Sequence, residues 1–295
     1  MSIYYVLIIC LLLIIIFKRK INNYSLFTEN SDKNVLDKSV TTYQITKEKF
    51  DKNAICFIVR EYNELLFEFA ESCTFEYDVY IVIDDNSTII PSKNNVNIIQ
   101  INNQECLDNY FIKSTYRFNQ DVTGWDKAFY YFSNSVVNYD HVWFLEDDVY
   151  FGNSNILKNI DNKYPDIDML CEGDRKITKD FPPNDFKLPI EFRNTLKMSI
   201  YQSMICAVRI SKNVLNLLKL TAQKYKRLYF HELLLLSLVK HNNLSYLRIE
   251  ELSTIIYRHE WKYNIIKSKP SNLFHPIKDL NIQKKLRKYF SHLLL

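Results

Sequence analysis

The pattern of apolar and polar positions divides the chain into three stretches. An uncharged run from Ile3 to Phe17 is followed at once by Lys18, Arg19 and Lys20. Residues 21–52 are polar and aperiodic, rich in Asn, Ser, Lys, Asp and Thr, and read as a stem or linker. From residue 53 to 295 short apolar runs alternate with segments of helical spacing, which is the pattern of a folded domain. Ala54–Val59 is continuously apolar, as a strand covered on both faces should be, and it ends at Arg60-Glu61. Leu65, Leu66, Phe69 and Ala70 then recur at helical spacing. Val79–Ile83 is a second strand, stopping at Asp84-Asp85-Asn86, and Val96–Ile101 is a third. Gly124 opens a helix in which Ala128, Phe129, Phe132 and Val136 are spaced to face a sheet. His141–Leu145 is a fourth strand and ends at Glu146-Asp147-Asp148. Strands alternating with helices predict an α/β fold with a mainly parallel sheet flanked by helices.

The first run carries a location. As helix its 15 residues reach about 22 Å at 1.5 Å per residue, and the snorkelling Lys18 and Arg19 lengthen the span. Residues 1–20 therefore read as a transmembrane anchor with a basic flank; a cleaved signal peptide is the alternative, without a basic n-region or a small-x-small site to support it. The positive-inside rule places the domain on the cytosolic face, with the Golgi or ER lumen as the alternative. Sequons at Asn23, Asn86 and Asn243 are expected by chance in so Asn-rich a chain.

Composition narrows the chemistry. The net charge of +4 loses three of its units to Lys18, Arg19 and Lys20, leaving 35 basic against 34 acidic residues, so nucleic acid is not an expected partner. Only three glycines are present, at 124, 152 and 173, which excludes a GxGxxG dinucleotide loop and a P-loop. Six scattered cysteines without a CxxC read as free thiols.

The strand-end acids are the functional clue, because ligands of open α/β sheets sit beyond the carboxyl ends of strands. Asp84, Asp85 and Asn86 have an equally good reading as turn caps. Glu146-Asp147-Asp148 lies between apolar runs, and its mutual repulsion has to be neutralised. Hard oxygen ligands suit Mn²⁺ or Mg²⁺, and alternation on extended backbone lets Glu146 and Asp148 share one ion while Asp147 points away. An ion plus acids, without a glycine loop, suggests a diphosphate held through its metal.

VYIVIDDNS (79–87), GWDKAFYYF (124–132) and VWFLEDDVYF (142–151) together resemble the glycosyltransferases of the GT-A, Rossmann-like fold, with EDD in place of their DxD motif. The pattern is nearest to the Fringe-like and β-1,3-galactosyltransferase branch. The resemblance implies a metal-dependent transferase moving a sugar from a nucleotide-sugar, UDP-linked by expectation, to a glycan, protein or lipid acceptor. It implies that Arg60, Asp84, Asp85, Asp126, Lys127 and Glu146 serve the donor, that Asp148 and Glu146 hold the ion, and that Asp147 positions the donor. Ser199–Ser211 resembles the strand before the family's late helix but lacks its glycines. Glu232, at the start of a helix, falls where the branch carries its general base, although an acid there also serves as a plain helix cap. Ile255–Trp261 resembles the late strand whose His, here His259, completes the metal site in some members. His231-Glu232-Leu233-Leu234-Leu235 is no zinc-protease motif, since its fifth residue is not His. Two other classes use the same acids: a metal-dependent nucleotidyl- or phosphotransferase, and an inactive membrane-tethered binding module. The tail, from Lys278, reads as a packing helix with a basic solvated face.

Overall fold

The computed structural model describes residues 53–92, 94–115, 120–178, 194 and 196–291. The expected anchor (1–20) and stem (21–52) lie outside them, and among the described residues no helix is long and apolar enough to cross a membrane. β1 (Asn53–Val59) leads through α1 (Glu64–Cys73) to β2 (Asp78–Ile83) and β3 (Val96–Ile99). α2 (Asn103–Asp108) and α3 (Gly124–Asn134) precede β4 (His141–Glu146), and α4 (Ser154–Lys163) follows it. Next come β5 (Met169–Cys171), β6 (Arg175–Lys176), β7 (Tyr201–Gln202) and β8 (Ala207–Ser211). α5 (Lys212–Tyr225), α6 (His231–His241), β9 (Tyr246–Arg248), α7 (Tyr263–Ser268) and α8 (Leu280–Ser291) complete the described part.

Seven strands form one sheet in the order β3-β2-β1-β4-β8-β5-β9. β8 is antiparallel to both its neighbours, and the other six strands point one way. Alternation along β1 explains why its run is apolar throughout: Ala54, Cys56 and Ile58 join the core under α3, α5 and α6, while Ile55, Phe57 and Val59 join the core under α1 and α4. β6 and β7 pair as a separate two-stranded ladder.

Below α4 a buried polar knot ties the layers. Asp161 accepts from Asn53 Nδ2 at 2.9 Å, Tyr77 Oη at 2.7 Å, Trp143 Nε1 at 3.0 Å and Arg209 Nη1 at 2.8 Å. Arg209 is fully buried, and its second amino group donates to the carbonyls of Tyr164 and Ile167.

Three local expectations change. α3 ends at Asn134, where Ser135 turns to extended backbone, so Val136 lies beyond it and is 95% exposed instead of facing the sheet. The apolar stretch 199–211 splits into β7 and β8, with residues 203–206 between them as a connection. Residues 255–261 form no strand; Ile255 makes one isolated bridge to His275, and residues 256–260 are exposed.

Candidate active site at the carboxyl edge of the sheet

Because β8 runs against its neighbours, its first residues share an edge with the carboxyl ends of β1, β2, β4 and β5. That edge collects Arg60, Asp84, Asp85, Glu146, Asp147, Asp148, Glu172 and Cys206. The acidic turn after β4 is held from outside the sheet. Tyr150 and Phe274 exchange backbone hydrogen bonds at 2.8 Å, and Ile277 N donates to Asp148 O at 2.7 Å. Gln283 of α8, fully buried, donates its amide to Asp147 O at 2.9 Å and Ile277 O at 2.8 Å. The substitution Gln283→Leu would orphan two buried carbonyls at about 1–3 kcal/mol each. A lowered urea midpoint with an unchanged slope is the expected result, and an unchanged midpoint would refute this clamping role.

The clamp brings His275, in a segment without periodicity, to the acids. Its Nε2 lies 3.2 Å from Asp148 Oδ1 and 3.9 Å from Glu146 Oε2. Its Nδ1 lies 3.1 Å from the Ile256 carbonyl, which can only accept, so in the neutral ring Nδ1 carries the proton and Nε2 turns a lone pair to the carboxylates. Asp148 Oδ1 is buried and, beside the neutral ring, has no hydrogen-bond donor. Burial lowers the affinity of His275 for a second proton, but a charged ring would donate Nε2–H to Asp148, and that bond together with the charges of Asp148 and Glu146 outweighs burial, so its pKa is raised. The site attracts positive charge. Glu146 Oε1 accepts from Trp125 Nε1 at 2.8 Å, and the Trp125 ring stacks on His231 at 4.6 Å. Asp147 has its pKa raised to about 6 by burial and then by the charges of Asp148 and Glu146. His259 lies outside this group: it is exposed and packs edge-on against Trp261. His275, and not His259, lies beside the acids, because the chain leaves the sheet after Ile255 and the segment bridged to Ile255 and Tyr150 returns to them.

The residues expected on the donor side divide. Asp84 N and Asp85 N donate to the carbonyls of Val59 and Arg60, at 2.9 Å each, which joins the ends of β1 and β2. Lys127 is fully buried, with Nζ 2.5 Å from Asp84 O and 3.4 Å from Asp84 Oδ1, so it fixes Asp84 from beneath. A Cβ on Gly124 would stand 3.0 Å from Ile58 Cγ2, so a larger residue at the start of α3 would have to push that methyl aside. Asp126 is also fully buried, and its carboxylate accepts from Ser114 N, Thr123 N and Thr123 Oγ1 at 2.8–2.9 Å. It is engaged in building the start of α3, which leaves it no surface for a donor. Arg60 is exposed beside Glu61. Asp85 is exposed and accepts from Ser87 N and Oγ, the turn-capping geometry.

Glu232 stands in the first turn of α6, where the helix dipole favours a carboxylate. Burial wins: its pKa is raised to about 7, with a Gln202 hydrogen bond opposing and the charge of Glu146 adding to the rise. Gln202 Nε2 lies 3.4 Å from Glu232 Oε2, and its carbonyl oxygen accepts from Arg175 at 2.6 Å. Ser203 N donates to Glu232 O, which ties the connection leading to Cys206 to this helix. Glu172, just past β5, was not anticipated from the sequence; burial raises its pKa while Met204 N, Arg248 and Arg175 lower it. A single acid after a three-residue strand gives no pattern to find.

No protein-family model matches the chain, and no curated protein matches it. Among solved structures it is similar to the galactosyltransferase LgtC crystallised with donor and acceptor sugar analogues, at 10% identity, TM-score 0.44, covering 80% of this chain and 95% of that one. It is similar to 4-diphosphocytidyl-2C-methyl-D-erythritol synthase from Anaerococcus prevotii, at 12% identity, TM-score 0.40, covering 81% and 95%. Mouse xyloside xylosyltransferase 1 matches at 10% identity, TM-score 0.38, covering 77% and 96%.

Proposed function

We propose that the chain is a divalent-metal-dependent glycosyltransferase that moves a sugar from a nucleotide-sugar, UDP-linked in this reading, to an acceptor hydroxyl on a glycan, protein or lipid. The observation that carries it is the convergence at one sheet edge of Glu146, Asp148 and His275 Nε2, within the electrostatic field of Glu232, a carboxyl whose pKa burial raises to about 7. These residues fit a divalent ion, for which the resemblance implies Mn²⁺ or Mg²⁺, because Asp148 Oδ1 is a buried acceptor without a donor and His275 offers it none in the neutral ring. Glu146, Asp148 and His275 would hold the ion. When bound, it offsets the charge of the diphosphate leaving group.

The chain's own groups do the rest. Glu232 takes the proton from the acceptor hydroxyl as that oxygen attacks, which makes the transfer direct and inverting. Lys127 holds Asp84, and through it the paired ends of β1 and β2, where Arg60, Asp84 and Asp85 are available to the nucleoside. Asp147 positions the donor sugar. Residues 1–20 anchor the enzyme in a membrane, with the domain on the cytosolic face; glycosylation of Asn86 or Asn243 in cells would overturn that orientation.

The test is product analysis with a panel of nucleotide-sugars. Free nucleoside diphosphate supports sugar transfer, whereas pyrophosphate would assign nucleotidyl transfer instead. Asp148→Asn keeps the side-chain shape and removes the charge. It should lower turnover at least about 10²–10³-fold, as loss of one charge-stabilising group does, with unchanged circular dichroism. Full activity of that variant, or of the wild type in EDTA, would sink the metal reading.

A further inference from the structure

We propose that Cys206 is a ligand of this metal centre and tunes it toward thiophilic divalent ions of the zinc class, over Mg²⁺ and Mn²⁺. This rests on the reading that Glu146, Asp148 and His275 bind an ion. The antiparallel register that pairs Leu145 with Ala207 places Cys206 across from Glu146, and Glu146 N donates to Cys206 O at 2.9 Å. Directly opposed residues on one face of such a pair hold their Cβ atoms about 5 Å apart. Ligand atoms of Glu146, Cys206 and His275 accordingly all lie within 4.8 Å of one another. Among the described residues this is the one place where three His, Cys, Asp or Glu ligand atoms converge so closely.

The donor set is oxygen, nitrogen and sulfur, two of its three members are buried, and the cysteine is in no disulfide. Mg²⁺ seeks an octahedron of oxygens and retains its waters, so a buried thiol and imidazole suit it poorly. Zinc and its neighbours accept sulfur, nitrogen and carboxylate together in four-coordinate sites. Two of the ligands are also braced as metal ligands usually are. His275 donates Nδ1–H to the Ile256 carbonyl, and Trp125 Nε1 fixes one Glu146 oxygen while the other stays toward His275. On binding, the Cys206 S–H bond breaks, its proton passes to solvent, and a metal–sulfur bond forms.

Cobalt(II) is the probe, titrated into the purified full chain under reducing, anaerobic conditions. Wild type should develop an intense near-ultraviolet thiolate-to-cobalt charge-transfer band, and Cys206→Ser should lack it. Calorimetry should show Zn²⁺ bound at least about tenfold more weakly by Cys206→Ser, the smaller end of what altering even an outer-shell partner does, with Mn²⁺ affinity changed less. Cys206→Ala, checked by thermal melting, serves if the serine variant misfolds. Wild type that binds Co²⁺ or Mn²⁺ with no thiolate band sinks the role of Cys206 and leaves the metal centre standing. Unchanged Zn²⁺ affinity in both variants does the same. Wild type that binds neither Co²⁺ nor Mn²⁺ overturns this inference together with the metal reading beneath it.

Discussion

Glu232→Gln should lower kcat by about 10²–10⁴-fold, the range a positioned general base contributes, and should raise stability at neutral pH. The first follows from removing the base, and the second from the burial that lifts the Glu232 pKa from the ordinary 4.5 to about 7. A base must be unprotonated, so wild-type kcat/KM should climb with pH to a plateau above about 7, and the variant should show no such limb. Stability has the opposite sign. Between pH 4.5 and about 7 the folded chain holds a proton that the unfolded chain has released, so wild-type stability declines as pH rises across that window and stays lowered above it. Glutamine escapes this loss, and the variant should melt higher than wild type at pH 8 but not at pH 4. The alternative role of Glu232 as a helix cap predicts the reverse, since a carboxylate that merely favoured the first turn of α6 would be missed most when charged. A variant that loses activity but also melts lower at pH 8 would support the cap; one that keeps wild-type turnover would remove Glu232 from the chemistry.

What could be read from residues alone follows from what periodicity encodes. β1, β2 and β4 were visible because a strand covered on both faces is a continuous apolar run, and their acids were visible because charge at such an end has no packing reason. Strand direction is not encoded that way. Nothing in Ala207–Ser211 announces that β8 runs antiparallel, yet that reversal is what carries Cys206 to the edge where Glu146 lies. His275 was invisible for a related reason: it is placed by backbone bridges from Tyr150 and Ile255 and by the amide of Gln283, none of which has a side-chain spacing. His259 is picked out by the resemblance of Ile255–Trp261 to a late strand, but residues 256–260 are exposed and form no strand. Asp126 illustrates an ambiguity of acids near glycines. The same carboxylate that reads as donor-binding in a motif is fully consumed by Ser114 and Thr123 once the helix start is built.

Asp161→Ala should cost about 3–5 kcal/mol, the loss incurred when one partner of a buried ion pair is deleted. Against a total stability of about 5–15 kcal/mol for a domain, that is enough to leave a measurable unfolded fraction. The cause is what remains. Arg209, fully buried in the middle of β8, would lose its ion-pair partner and keep its hydrogen bonds to the Tyr164 and Ile167 carbonyls, and Asn53, Tyr77 and Trp143 would lose their acceptor. Those donors come from β1, the entry to β2, β4 and β8, so the knot bonds four neighbouring parts of the sheet through one helix residue. Removing both charges at once, as Asp161→Leu with Arg209→Met, should recover much of the loss, because well-packed apolar residues often match a buried pair in stability. Asp161→Asn should fall between, since it keeps an acceptor for Trp143 or Tyr77 but leaves Arg209 uncompensated. Urea unfolding of the four proteins, wild type included, checks the order. A single-variant loss below about 1 kcal/mol, the scale of an exposed pair, would mean that water reaches Arg209 and that the knot is not sealed. The knot touches none of the acids at the carboxyl edge. At a temperature where the variants remain folded, their activity per folded molecule should therefore match wild type, which separates the residues that hold this sheet together from those that work at its edge.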